Sequence, residues 1–222
     1  PILVIFSDGS EQAYAAVAYI RWQCSSTHYE ARMVVAKSRM APLKTVDIVR
    51  LELCGAVLSK RLRCMIEKEM TLKFQKVIHV VDSEIVQAMV HRESYGFNTF
   101  VANRVGEIRQ GTQPNEWVWV EGKNWLNIAD IATRGCNPKE LDLNSLWQTG
   151  PEFLKQPEED WPISREVRKG VQIPETKKTH VKEVSSVNQE SKEEAIEGSI
   201  NNFVVTTIQV QQETLASRIN TK

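Results

Sequence analysis

Apolar residues run unbroken through Ile2-Leu3-Val4-Ile5-Phe6 and give way at Ser7-Asp8-Gly9-Ser10. Such a run, closed by an acid and a turn pair, predicts a strand buried on both faces that ends in a carboxylate at the rim of a sheet. Ala13–Trp22 and Ala31–Arg39 are apolar stretches of strand length, joined by a polar loop from Cys24 to Glu30 and stopped by Pro42. Three strands joined by short links predict an antiparallel meander. From Asp47 to Met70 the period changes: Leu51, Leu58, Leu62, Met65 and Ile66 recur at helical spacing, with Asp47 as N-cap and with Gly55 and Ala56 small enough to let the helix press against a sheet. Val77–Val81 is a fourth strand ending in Asp82-Ser83, followed by helix over 84–91, which makes a parallel unit. A second amphipathic helix spans 98–110 and stops at Gly111; Trp117-Val118-Trp119-Val120 alternates as a half-buried strand whose tryptophans belong to the core. After a loop over 121–126, a last helix runs from Asn127 as N-cap to Gly135 as C-cap.

The character changes at Pro157-Glu158-Glu159-Asp160-Trp161-Pro162, a linker signal, and residues 170–199 are rich in Lys, Glu, Ser, Thr and Val without a period. The division expected is a domain over 1–163 and a mostly disordered tail over 164–222, in which Asn202–Val210 is a strand-like run with nothing obvious to pair with. Lys+Arg and Asp+Glu both number 28, so no global basic field marks a nucleic-acid partner and any such surface must be local. Cys24, Cys54, Cys64 and Cys136 show no CxxC spacing; they read as reduced thiols of a reducing compartment, without a zinc site. No secretory signal is expected from the short opening run, which ends at Asp8, and no run is long enough to span a bilayer. A start at Pro1, directly in a strand, is expected of a piece of something longer.

Four acids stand at comparable places: Asp8 after the first strand, Glu52 in the first helix, Asp82 after the fourth strand and Asp130 in the last helix. Each alone suits a cap or turn, or a helix dipole. Together they put carboxylates from separate elements at one edge of a mixed sheet, where divalent cations would relieve the repulsion. Two such ions can activate a water and stabilise the leaving oxygen of a phosphodiester.

Asp8-Gly9-Ser10, Leu51-Glu52-Leu53, Asp82-Ser83 and Ala129-Asp130 resemble the ribonuclease H pattern. More narrowly, Ala36–Lys44, Arg50–Cys54, Phe100–Val105, Asn127–Gly135 and Leu146–Leu154 resemble the polyproteins of BEL/Pao-type retrotransposons over most of residues 1–163. The resemblance implies an α/β fold, ribonuclease H-like, with a mixed five-stranded sheet (three antiparallel strands, then two parallel) flanked by helices. It implies a ribonuclease H domain after a reverse transcriptase and before an integrase, cutting the RNA strand of an RNA–DNA hybrid with two Mg²⁺ or Mn²⁺ ions held by Asp8, Glu52, Asp82 and Asp130. Glu52 would also contact the RNA 2′-OH, which distinguishes RNA from DNA. Substrate grip is expected from Lys37, Arg39, Lys44, Asn103, Arg104 and Arg134. The implied partners are the hybrid and the reverse transcriptase of the same polyprotein, with no membrane and no small-molecule cofactor; the implied place is intracellular, in a cytoplasmic virus-like particle or the nucleus. One departure stands out. Many ribonucleases H carry a His in the loop before the last acid, and Glu121-Gly122-Lys123-Asn124-Trp125 has none. The alternatives are slow turnover or partial substitution by Lys123. Rival readings are a decayed or bracing domain without catalysis and, with less support, an aspartic peptidase, whose Asp-Thr/Ser-Gly motif neither Asp8-Gly9-Ser10 nor Asp82-Ser83-Glu84 matches. A transposase or integrase core would place its Glu on a late helix, and the tail lacks the His and Cys ligands of an integrase zinc module.

Overall fold

The run at the start of the chain is continuous because both of its faces are covered. Leu3 and Ile5 of β1 (Ile2–Gly9) pack with Leu58, Leu62 and Ile66 of α1 (Ile48–Glu69), while Val4 and Phe6 pack on the other face with Ile128, Ala129, Trp147, Phe153 and Leu154. Strand alternation therefore feeds two cores at once. The computed structural model describes residues 1–177 and the two-residue strand Val204–Val205.

β1 pairs antiparallel with β2 (Ala13–Gln23), which pairs antiparallel with β3 (Tyr29–Met40). Helix α1 then crosses to β4 (Lys76–Val81), which lies parallel beside β1, and α2 (Glu84–Val90) and α3 (Thr99–Arg109) lead to β5 (Trp117–Val120), parallel to β4. The fold is the expected mixed α/β sheet of three antiparallel strands followed by two parallel ones, with helices on its faces. Two short strands extend it: β6 (Ile163–Ser164) pairs with Trp119 and Val120, and β7 (Val204–Val205) pairs with Ala36 and Lys37, giving the order β6-β5-β4-β1-β2-β3-β7. The remainder of the strand-like run 202–210, and the rest of the expected disordered tail beyond 177, lie outside the described residues.

Beyond 163 the described chain goes on making contacts with the sheet and helices. Residues 163–177 return along the sheet and the helices: Asn98 donates its backbone N–H to the Glu175 carbonyl (2.8 Å), Lys177 donates to the Gly96 carbonyl (2.9 Å), and the Glu175 carboxylate accepts from Arg50 Nε (2.6 Å) and Nη2 (2.7 Å). Composition concealed this because the segment is held mostly by backbone and charge contacts, with Ile163 and Ile173 as isolated apolar contacts and no periodic apolar face. The stretch after α4 (Ala129–Arg134), including α5 (Leu146–Thr149), is fastened to β2 instead: Arg21 donates to the carbonyls of Leu154 (2.8 Å) and Gln156 (2.6 Å), and Tyr19 Oη donates to the Trp147 carbonyl (2.7 Å). No helix among the described residues is long and apolar enough to cross a membrane.

Helix α1 begins where expected, with the Asp47 side chain accepting from Val49 N–H (2.9 Å). It meets the end of β1 without side chains in between. A Cβ added at Gly9 would stand 2.3 Å from Glu52 N, and one added at Gly55 would stand 2.5 Å from the Asp8 carbonyl oxygen. Neither gap accommodates a methyl group without a backbone shift. The helix interior tolerates Gly55 despite the roughly 1 kcal/mol it costs relative to Ala, because only Gly permits this approach.

Gly55→Ala tests the contact by its sign. Helix propensity alone would raise stability; the overlap instead predicts a loss of about 1–3 kcal/mol in urea unfolding, the usual cost of overpacking. An unchanged or higher midpoint would refute the close approach.

Candidate metal centre

Parallel register brings the first two acids together. Phe6 is paired with Val80 across β1 and β4, so Asp8 and Asp82, two residues further along each strand, leave adjacent strand ends on the same face. That face is the one covered by α4, and Asp130 stands in the first turn of that helix. One carboxylate oxygen from each of Asp8, Asp82 and Asp130 lies within 4.8 Å of the others. Glu52 falls outside this trio. It arrives from the second turn of α1, its backbone against Gly9, with a hydrogen bond to Ser83 and within electrostatic reach of Asp8 and Asp82. Two like charges at the spacing of the aspartate trio repel by on the order of 3 kcal/mol even at an effective dielectric of 20.

The protonation behaviour follows. Burial, and then the charges of Asp8 and Glu52, push Asp82 up to about 7; an Asn127 hydrogen bond and Asp130 act in opposite directions on it with smaller effect. Burial, offset in part by Ser83, pushes Glu52 up to about 7. Asp8 is raised by burial as well, against the pull of a hydrogen bond from Thr133 Oγ1. Among the described residues, the cation ion-paired within the cluster is Arg134, whose Nε is 3.0 Å from Asp130 Oδ1 and which is largely exposed.

Three polar residues that the sequence reading did not count among the site residues hold the acids in place. Thr133 Oγ1 of α4 donates across to the Asp8 carboxylate at the end of β1, and its carbonyl accepts from Ser10 Oγ (3.0 Å). Ser83 caps α2, accepting from Val86 N–H (3.3 Å), and also serves Glu52. Asn127, expected as the N-cap of the last helix, stands one residue before the cap position, which Ile128 occupies without a side-chain bond. Asn127 is buried; its Nδ2 donates to the Ser7 carbonyl (3.0 Å) and its Oδ1 accepts from Ala129 N–H (3.3 Å), so it ties the end of β1 to the start of α4. The sequence signal was present, since a polar residue sat between apolar ones, but local cap chemistry explained it equally well. Trp119 is also tied in, donating to the Asp82 carbonyl (2.8 Å).

The six expected substrate residues divide. Arg39, Asn103 and Arg104 line one cavity of about 220 Å³ together with Tyr14, Cys54, Val57, Leu58, Arg61 and Glu107. Arg104 is engaged within it, lying 3.4 Å over the Phe100 ring and donating to the Phe100 carbonyl (3.0 Å). Arg39 Nε is buried and makes no hydrogen bond. Arg39 pairs with Tyr14 on β2, next to the residue opposite Asp8, so it lies towards the same rim as the acids but on the face covered by α1, opposite the face on which Asp8, Asp82 and Asp130 converge. Lys44 is exposed in the link before α1, Lys37 is half-buried in β3, and Arg134 is committed to Asp130.

The donor set is all oxygen, carried on rigid element ends and partly buried. That suits hard cations such as Mg²⁺ or Mn²⁺ and not a thiophilic metal. Residues 2–83 match the family described as the Pao retrotransposon-like RNaseH-like domain, a span that holds Asp8, Glu52 and Asp82 and ends before Asp130. Among solved structures, the chain is similar to the N-terminal RNase H domain of rv2228c from Mycobacterium tuberculosis, determined as a fusion with maltose-binding protein, at 13% identity over 60% of this chain and 89% of that one, with a TM-score of 0.41. No curated protein matches.

Stability should report the crowded acids directly. Glu52 and Asp82 hold protons in the folded state up to about 7 and release them near 4 when unfolded, so they stabilise below that lower range and lose the contribution as pH rises through 7. Buried His79, held neutral with its pKa lowered to about 3, works in the opposite sense by favouring the fold above pH 6.5. The comparison is therefore between variants at each pH. In EDTA, Asp82→Asn should gain stability over the parent between pH 5 and pH 7.5, by on the order of 2 kcal/mol, and Mg²⁺ should narrow the gap at the higher pH. A difference that is flat with pH in thermal melts would contradict the geometry.

Proposed function

We propose, from the Pao retrotransposon-like RNaseH-like character of residues 2–83, that this chain is a divalent-metal-dependent endonuclease that cuts the RNA strand of RNA–DNA hybrids. The observation that carries the reading is the convergence of Asp8, Asp82 and Asp130 to within 4.8 Å, with Glu52 beside them. Asp8 and Asp82, on neighbouring strand ends, would hold the metal ions, and Glu52 and Asp130 would complete the set from two helices. Mg²⁺ or Mn²⁺ bound there would supply an activated water and stabilise the leaving oxygen. Thr133, Ser83 and Asn127 keep the carboxylates aimed, so the set need not reorganise when substrate arrives. Arg39, with a buried donor left free, and Arg104 and Asn103 in the same cavity on the α1 side of the sheet, offer a grip for backbone phosphate. The reverse transcriptase of the same polyprotein, and an intracellular setting, belong to this proposal as its expected context.

Incubating the purified chain with a labelled hybrid in Mg²⁺ tests the reading. The expected result is cutting in RNA only, abolished by EDTA and reduced on the order of 100-fold or more in Asp8→Asn and Asp82→Asn, the scale of losing a contact to developing charge. Full activity in either variant rules the mechanism out; intact hybrid binding with no cutting in the parent favours a bracing role. Separately, Arg39→Ala should weaken hybrid binding and lower the slope of log affinity against log salt by about one. An unchanged slope would remove Arg39 from the phosphate contacts.

A further inference from the structure

At the opposite end of the sheet, the β2–β3 turn gathers a second set of metal-ligating side chains. Cys24, His28 and Glu30 each bring one ligand atom within 4.8 Å of the other two. The turn is held by its own backbone: Cys24 N–H donates to the His28 carbonyl (2.8 Å), and Ser25 and His28 exchange bonds of 3.3 and 3.4 Å. His28 and Glu30, two residues apart as β3 begins, project the same way, with His28 Nε2 3.6 Å from Glu30 Oε1. Cys24 faces them across the turn. The Glu30 carboxylate is only loosely held, its Oε1 facing His28 and its Oε2, which accepts no hydrogen bond, paired with Arg32 at 4.0 Å. The Cys-x-x-x-His-x-Glu spacing has no CxxC signature, and only the hairpin makes the three neighbours.

The geometry points to a zinc site at this turn, formed by the Cys24 thiolate, a His28 ring nitrogen and the Glu30 carboxylate, with a fourth position left to water or another ligand. A thiolate, an imidazole and a carboxylate are the donors zinc takes, whereas the acid cluster offers oxygen alone. The charges close: binding releases the thiol proton to solvent, and one thiolate with one carboxylate neutralises the dication. The two sites are separate, since Ala15 opposite Asp8 and Cys24 stand nine residues apart along β2, about 30 Å. The zinc would therefore act as a clip on the hairpin and not as part of the nuclease chemistry, and the inference does not rest on the proposed function.

Cobalt(II) titration of the full chain under a non-thiol reductant tests it. One equivalent should produce thiolate-to-cobalt charge-transfer absorption with tetrahedral ligand-field bands, displaced by zinc. Cys24→Ser should abolish the charge-transfer band, and Asp82→Asn should leave it unchanged. His28→Ala and Glu30→Gln should each weaken zinc binding by no less than the roughly 10–100-fold that loss of an outer hydrogen-bond partner costs at a metal site. Absence of the band in the parent, or its persistence in Cys24→Ser with the other cysteines intact, would overturn the proposal. Circular dichroism of each variant without metal checks that the fold is retained.

Discussion

The contact on which the site depends is a meeting of backbones. Gly9, at the end of β1, and Gly55, in the third turn of α1, remove the two side chains that would otherwise hold helix and strand apart. The helix then lies close enough for Glu52 to stand beside Asp8, and the apolar positions of α1 close over Leu3 and Ile5. A crossover from an antiparallel meander to a parallel strand needs such a helix to pack on the sheet it has just left. Here the packing and the assembly of acids are a single event. Strain and destabilisation anywhere along that seam would be felt at the carboxylates.

The acids themselves work against folding. Asp8, Glu52 and Asp82 are all raised by burial first; repulsion from Asp130 adds to it at Asp8, from Asp8 at Glu52, and from Asp8 and Glu52 at Asp82, a concentration of perturbed acids of the kind found at functional sites. What compensates is a ring of neutral polar groups: Thr133 on Asp8, Ser83 on Glu52, Asn127 on Asp82 and on the Ser7 carbonyl. Such groups lower the cost of each carboxylate without neutralising the cluster. They leave an oxygen-only cluster of carboxylates, a donor set that suits hard cations. Deeper in the sheet, His79 shows the other solution to burial. It stays neutral, stacked 4.4 Å from the Trp117 ring, with its Nδ1 2.7 Å from Ser59 Oγ.

Much of this was legible along the chain. The strands, the long helix and its Asp47 cap, and the glycine stops followed from period and turn chemistry, because those are governed by residues within one or two turns of each other. So did the strand-end acids: a carboxylate that closes an apolar strand can only emerge at a rim. Asn127 was misplaced by one residue: besides the nearby Ala129 N–H, it bonds a carbonyl on β1 and the acid just past β4, both far off in sequence. The return of residues 163–177 was hidden too. Arg50 and Glu175 carry no pattern that links them before the chain is folded.

By itself, then, the sequence determined which segments are strands and helices, which faces they bury, and that Asp8 and Asp82 end their strands. Only the tertiary structure decided that β4 lies beside β1 in the register that aligns those two acids, that α4 delivers Asp130 to the same face, and that a hairpin turn sets Cys24 against His28 and Glu30. The physical reason is range. Hydrophobic period and caps act over a few residues, whereas the meeting of side chains more than a hundred positions apart depends on how closely backbones can approach, and that is settled when the sheet and helices pack.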